Sequence, residues 1–191
     1  MLPSIPSRAG LLACLFAAAL ASSCTTTRAP VADTPAATPA VGSIQGLRAP
    51  RAGLLTSAQP DADAWRALAD DGVVAVVNLR PDAEQPGRDE GAEVAAAGMA
   101  YHQIPVAGAD DLSDANAAEL WRILQDNEGR VLVHCASGNR AGALLAIGAE
   151  RSGTMSALDA LAFGRAAGLT SPALEAKVRE RLGLPVEPVS E

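Results

Sequence analysis

Val131-Leu-Val-His-Cys-Ala-Ser-Gly-Asn-Arg-Ala-Gly142 is followed by an apolar run from Ala143 to Ala149. Apolar and β-branched residues ending at His134-Cys135 predict a buried strand, Ala141 to Glu150 predicts a helix, and the residues between form a strand-to-helix turn. A helix N-terminus presents unpaired N–H groups and the positive end of the helix dipole, which favours a thiolate over a thiol just before it. Cys135 is therefore a nucleophile candidate. Ala136, Ser137, Gly138 and Asn139 are small or turn-tolerant, so their amides can curve round an anion, and Arg140 adds a planar, permanently charged fork suited to a tetrahedral oxyanion. A lone cysteine at a strand end is ordinarily a small apolar core residue. Cys, Gly and Arg in one turn have no such packing reason and point to an anion site.

His134-Cys135-Ala-Ser-Gly138-Asn-Arg140 resembles the HC-x-x-G-x-x-R signature of cysteine-dependent protein tyrosine phosphatases. It is most similar to the bacterial short-loop (HCASGNR) branch of dual-specificity-like phosphatases, which includes domains fused elsewhere to an NAD kinase. No kinase segment is read between this region and Glu191. Two departures stand out. The family has five residues between Cys and Arg where this chain has four, the loop length of rhodanese-type sulfurtransferases, and Ala141 stands where the family has Ser or Thr. The resemblance implies that Cys135 attacks phosphorus, that the loop and Arg140 hold the phosphoryl oxygens, and that His134 supports the cysteine by hydrogen bonding. On its residues alone, His134 is equally readable as a buried strand histidine.

A second resemblance lies upstream. Val73-Val-Ala-Val-Val-Asn-Leu79 is an uninterrupted apolar run, as expected of a parallel strand covered on both faces. With Gly72 before it and Arg80-Pro81 after it, it is similar to the "GI-x-x-V-I-N-L-R" segment of the same phosphatases, which rhodaneses lack. Arg80 is either an anion contact or half of a structural ion pair. Leu54–Pro60 reads as an extended lead-in, and helices are predicted from Pro60 to Gly72, over 89–97 and over 114–127, the last capped by Ser113 and burying Ala117, Leu120, Trp121 and Leu124. Met99 to Pro105 reads as a strand. Two further helices, 157–167 and 172–182, have Ser156 and Ser171 as caps, and Gly153 and Gly168 mark helix stops. The alternation predicts a single α/β domain with a central, mostly parallel sheet of four to five strands flanked by helices, phosphotyrosine-phosphatase-like, with its ligand at the strand C-terminal ends.

Between the strand and the third helix lies Val106-Ala-Gly-Ala-Asp110-Asp111-Leu-Ser113-Asp114. In the resembled family this loop supplies the aspartic acid that protonates the leaving oxygen. Asp111 is favoured and Asp110 is the other candidate; the alternative is that these carboxylates serve the helix N-terminus. His102 reads as a core or surface histidine. Two histidines and one free thiol are too few for a dedicated zinc site, and no metal or other cofactor is expected.

The N-terminal segment 1–23 carries one charge, Arg8, and an apolar core from Leu11 to Ala21, and reads as a signal peptide. Ala19-Leu-Ala21 suits ordinary cleavage, whereas Leu20-Ala-Ser-Ser-Cys24 resembles a lipobox with Cys24 as the lipidated residue and membrane tether; the second is favoured. Residues 24–46, rich in Thr, Ala and Pro, are expected to be a disordered tether, 47–184 the phosphatase-like domain and 185–191 a tail. Of three cysteines, Cys14 falls in the signal core and Cys24 at the tether, leaving Cys135 without a disulfide partner. The chain is thus expected to be exported to the periplasm. A net charge of -7 and only 3% aromatic residues argue against a nucleic-acid partner. The expected partner is a phosphorylated substrate of a phosphocysteine-forming hydrolase. The alternatives are a sulfane-sulfur donor to a rhodanese-like sulfurtransferase working through a Cys135 persulfide, and a non-catalytic oxyanion-binding module.

Overall fold

Arg48–Arg51 (β1) and Leu54–Ser57 (β2) form an antiparallel hairpin turned at Gly53, whose φ of +75° only glycine adopts readily. Three more strands, Val73–Asn78 (β3), Ala100–Gln103 (β4) and Arg130–His134 (β5), complete one sheet in the order β1-β2-β5-β3-β4, parallel except for β1. This is the expected α/β sheet. The computed structural model describes residues 44–186. The signal peptide, Cys24, nearly all of the tether and most of the tail lie outside the described residues. Ile44 packs beside the core, and the Ala58 N–H donates to the Gln45 carbonyl at 2.9 Å.

The register sets the site. Ser57, His134, Asn78 and Gln103 align in one row across β2, β5, β3 and β4, so the chain leaves all four parallel strands along a common rim. Side chains alternate from there. Val131, Val133 and Cys135 face the core shared with Asp114–Asp126 (α3), Asn139–Arg151 (α4), Ala157–Ala166 (α5) and Pro172–Arg181 (α6). Leu132 faces the smaller core under Ala64–Asp70 (α1) and Glu90–Ala96 (α2), and His134 lies on the same side, its ring centroid 6.1 Å from that of Trp65.

Serine caps act as expected: Ser113, Ser156 and Ser171 accept from the N–H groups of Asn116, Asp159 and Leu174. Two elements differ from expectation. β1 was not predicted, because Arg48-Ala-Pro-Arg51 has no apolar alternation and Pro50 is tolerable only on an edge. Helix α4 begins at Asn139 rather than Ala141, because Gly138 at φ +86° turns the chain and its carbonyl already accepts the Gly142 N–H at 3.0 Å. Arg140 therefore stands in the first turn of the helix. The helix is buried from Arg140 to Ala149, and its small residues let α5 cross almost backbone to backbone. A methyl on Gly142 would come within 2.5 Å of the Gly164 carbonyl oxygen.

Candidate active site

Cys135 directly follows β5 and has no exposed surface, while Ala136 and Ser137 beside it are exposed. Its Sγ accepts the Gly138 N–H at 3.1 Å, the contact that supports negative charge on sulfur. Asn139 acts as a clamp. Its Oδ1 accepts the N–H groups of Thr170 and Ser171, each at 2.7 Å, and its Nδ2 reaches Ser137 Oγ at 3.3 Å, tying the α5–α6 connection to the loop.

Arg140 is 9% exposed, and its donors can be accounted for one by one. Nη1 donates to Glu84 Oε1 at 2.7 Å and to the Val106 carbonyl at 2.6 Å, and Nη2 donates to Glu84 Oε2 at 2.7 Å. That leaves Nε–H and the second Nη2–H, which share one edge of the guanidinium and form a parallel fork. No hydrogen bond with a described residue occupies that fork, which leaves it for an anion. The hydrogen bond to Glu84 raises the Arg140 pKa, against the pull of burial, and the nearby Cys135 sulfur adds to the rise. The same hydrogen bond holds the Glu84 carboxyl below the ordinary range, with burial opposing and Arg80 assisting.

A continuous chain of polar contacts joins Arg140 to the residue before the nucleophile. Glu84 lies in a 3-10 turn, Asp82–Glu84, and also accepts from Arg80 Nε at 3.3 Å. Arg80 Nη1 donates to Gln59 Oε1 at 2.6 Å, Gln59 Nε2 donates to Glu90 Oε2 at 2.6 Å, and His134 Nε2–H meets Glu90 Oε1 at 2.8 Å. Arg80 is thus committed to the wall of the site and not to a substrate. Glu90 and His134 are both fully covered. Burial is the largest influence on Glu90 and pushes its carboxyl up, but the hydrogen bonds from His134 and Gln59, with the charges of His134 and Arg88, outweigh it and leave it below the ordinary range. The other His134 nitrogen, Nδ1, has no hydrogen-bond partner among the described residues. Sequence reasoning singled out neither Gln59, Glu84 nor Glu90; the one available hint was that Glu84 stands four residues after Arg80.

The two aspartates lie in a 3-10 turn, Ala109–Asp111. Asp111 Oδ2 accepts the Ala107 N–H at 2.8 Å, whereas Asp110 is exposed and has no hydrogen bond with a described residue. Ser113 caps α3, and Asp114 pairs with Arg151 and Arg181, so helix capping does not occupy Asp110 or Asp111. Their loop starts one residue after Val106, whose carbonyl touches Arg140. His102 is half-buried on β4. Among the described residues no cluster of three His, Cys, Asp or Glu side chains could hold a metal ion.

The family model described as "Beta-lactamase hydrolase-like protein, phosphatase-like domain" matches residues 46–168. The Beta-lactamase hydrolase-like protein of Xylella fastidiosa is 40% identical over 119 residues, covering 60% of this chain and 27% of that protein. Its counterpart in Agrobacterium fabrum is 32% identical over 119 residues with the same coverage. The chain thus spans about a quarter of the length of these curated relatives. Among solved structures, a candidate phosphatase (DUF442) from Shewanella putrefaciens superposes with a TM-score of 0.59 at 26% identity, covering 73% of this chain and 90% of that one. TpbA of P. aeruginosa, in a cysteine-to-serine form in complex with pTyr, gives 0.54 at 26% identity, covering 70% and 80%. Tk-PTP in its active form gives 0.56 at 21% identity, covering 71% and 95%, a likeness of fold alone.

Proposed function

The chain belongs to the family of phosphatase-like domains of beta-lactamase hydrolase-like proteins, and from that premise we propose that it hydrolyses a phosphoric monoester through a phosphocysteine. One observation carries the reading: the Cys135 sulfur, the Gly138 N–H and the charge of Arg140 act on one another at the mouth of one loop, and Arg140 keeps a free donor edge. In the first step Sγ attacks phosphorus, the bond to the ester oxygen breaks, and a carboxyl proton passes to the departing alkoxide or phenoxide. The fork of Arg140 and the loop amides hold the remaining phosphoryl oxygens as charge builds on them. Water then attacks phosphorus, the aspartate takes its proton back, and the S–P bond breaks to release phosphate. Asp111 is the proton donor of this reading, because the Ala107 N–H fixes Oδ2 and leaves Oδ1 free. Ala141 supplies no hydroxyl for the second step, which therefore rests on water and the aspartate.

The test is intact-mass analysis after brief, separate exposure to 4-nitrophenyl phosphate and to thiosulfate. The complex of TpbA with pTyr supports the choice of an aryl ester as probe. A phosphoryl increment on Cys135, absent from Cys135→Ser, is the expected result. A sulfur increment instead would establish the sulfurtransferase, the second reading, which the four-residue loop favours. Cys135 is fully covered, so the reading also requires the loop to admit reagents: phosphate should slow alkylation of Cys135 by iodoacetate, and a thiol that never alkylates would overturn it. We further propose export with a lipid on Cys24, to be tested by metabolic labelling with palmitate of the wild type and Cys24→Ser.

A further inference from the structure

Among the described residues every lysine and arginine has a carboxylate within 4.0 Å except two. Arg51 is one, and it lies 5.3 Å over the ring of Trp121. Arg48 is the other, exposed and without any side-chain hydrogen bond to a described residue. In a chain of net charge -7 a cation left unneutralised is the exception, and its position matters.

That position is the rim of the anion loop. Arg48 pairs with Thr56 and Thr56 with Val133, so Arg48 stands at the end of the sheet from which Cys135 emerges, while Arg51 stands at the opposite end. Gly168, at φ +115°, brings the α5–α6 connection against the loop: a Cβ built there would meet the Gly138 carbonyl oxygen at 3.2 Å and Arg48 Nε at 3.6 Å. Arg48 Nε and the Gly138 carbonyl oxygen thus flank the same point at Gly168, no more than about 7 Å apart. It lies on the β1–β2 side of β5, whereas Glu84 and Val106 approach Arg140 from the β3–β4 side. Arg140 is spent on the reacting phosphoryl group and its own Glu84. Arg48 has no such commitment to a described residue.

We infer that Arg48 is a substrate-selecting residue, which takes a second anionic group, phosphoryl or carboxylate, carried by the substrate on the β1 side of the phosphoryl group that Cys135 attacks. The inference rests on the phosphatase reading. An exposed guanidinium near the loop, with no carboxylate within 4.0 Å among the described residues, adds its field to that of the loop, so a substrate with a second charge at the right spacing gains over one without.

Calorimetric titration of the full chain separates the possibilities. The probes are methylphosphonate, alkane bisphosphonates with spacers from methylene to hexylene, and phosphonocarboxylates of the same lengths. One exposed ion pair is worth about a three- to fivefold gain in affinity. That gain is expected over methylphosphonate at a preferred spacer length, to vanish in Arg48→Ala, to persist in Arg48→Lys, and to shrink as salt is raised. The bisphosphonate and phosphonocarboxylate arms report which second anion is preferred. A preference that survives Arg48→Ala, or no preference at any length while methylphosphonate binds, overturns the assignment to Arg48 alone. Failure of methylphosphonate itself to bind overturns the anion-site reading and this inference with it.

Discussion

Replacing Glu84 with alanine removes both oxygens that pin one end of the Arg140 guanidinium at 2.7 Å, leaving the Val106 carbonyl as its anchor there. Two effects compete. The freed side chain regains up to about 2 kcal/mol of rotamer entropy and loses two charge-assisted bonds, so returning it to the working pose costs on the order of 2–3 kcal/mol, the low end of the range because the Glu84 side chain is 31% exposed. Against that, the carboxylate repels the substrate anion. Across a guanidinium, roughly 7 Å, and at an effective dielectric constant of about 50, the repulsion is about 1 kcal/mol per unit charge. An aryl phosphate carries close to two negative charges at neutral pH, so the repulsion offsets about 2 kcal/mol; pinning still wins, by up to about 1 kcal/mol, and kcat/KM should fall severalfold, up to about 5-fold. Glu84→Gln removes the whole charge but only part of the pin, so it should be faster than the alanine variant. Steady-state kinetics with 4-nitrophenyl phosphate, with circular dichroism to confirm an intact fold, makes the measurement. An alanine variant as fast as wild type, or faster, would refute the argument, since Glu84 would then be nothing more than a repulsive neighbour.

The same pin has a pH signature. The Arg140 hydrogen bond holds the Glu84 carboxyl below its ordinary value, so the stabilisation is fully present above about pH 4.3 and is lost only as pH falls through the lower folded value. Neutral and mildly acid assays therefore see Arg140 pinned throughout.

Three further expectations follow from named contacts. Glu90→Ala leaves both ring nitrogens of the buried His134 unpaired, which should cost about 2–4 kcal/mol and lower Tm by about 6–15 °C. Because the Glu90 carboxyl is depressed, its contribution is present above the unfolded value near 4.3 and lost below it; urea unfolding at neutral and acid pH should show the gap to wild type narrowing in acid, and a constant gap contradicts this. Thr56 buries a hydroxyl with no partner among the described residues, so Thr56→Val should stabilise the fold by about 1 kcal/mol, and a lower Tm counts against it. Asp111→Asn should slow phenyl phosphate hydrolysis about 100-fold and 4-nitrophenyl phosphate much less, because the better leaving group needs less proton transfer. Equal losses on both esters would remove Asp111 from that role.

How much of this was legible depended on whether a contact is local. The strand through Val133 and the helix after it follow from an apolar run and its period, and helix ends follow from Ser113, Ser156, Ser171 and from glycines at positive φ such as Gly72, Gly98, Gly153 and Gly168. The wall of the site was not legible. Glu84 meets Arg140 across 56 positions and Glu90 meets His134 across 44, and no periodicity encodes a pairing between elements that only the sheet order brings together. The rim row of Ser57, His134, Asn78 and Gln103 explains why those partners converge: each connection leaving the rim must cross the same small area.

The loop that is one residue shorter than in the resembled phosphatases raises the sharper question of whether sulfur and guanidinium can still serve one ligand. The start of α4 answers it. Gly138, at φ +86°, aims its N–H at Sγ while its carbonyl closes the first helical turn on Gly142, so a single residue both ends the loop and begins the helix. Arg140 then leaves from the first turn, and a long side chain is anchored at its far end by Glu84 and Val106 instead of by loop backbone. The helix thus starts at Asn139, directly after the turn at Gly138. What holds the site together is the left-handed conformation at position 138, where any side chain would strain the turn that sulfur, amide and guanidinium share.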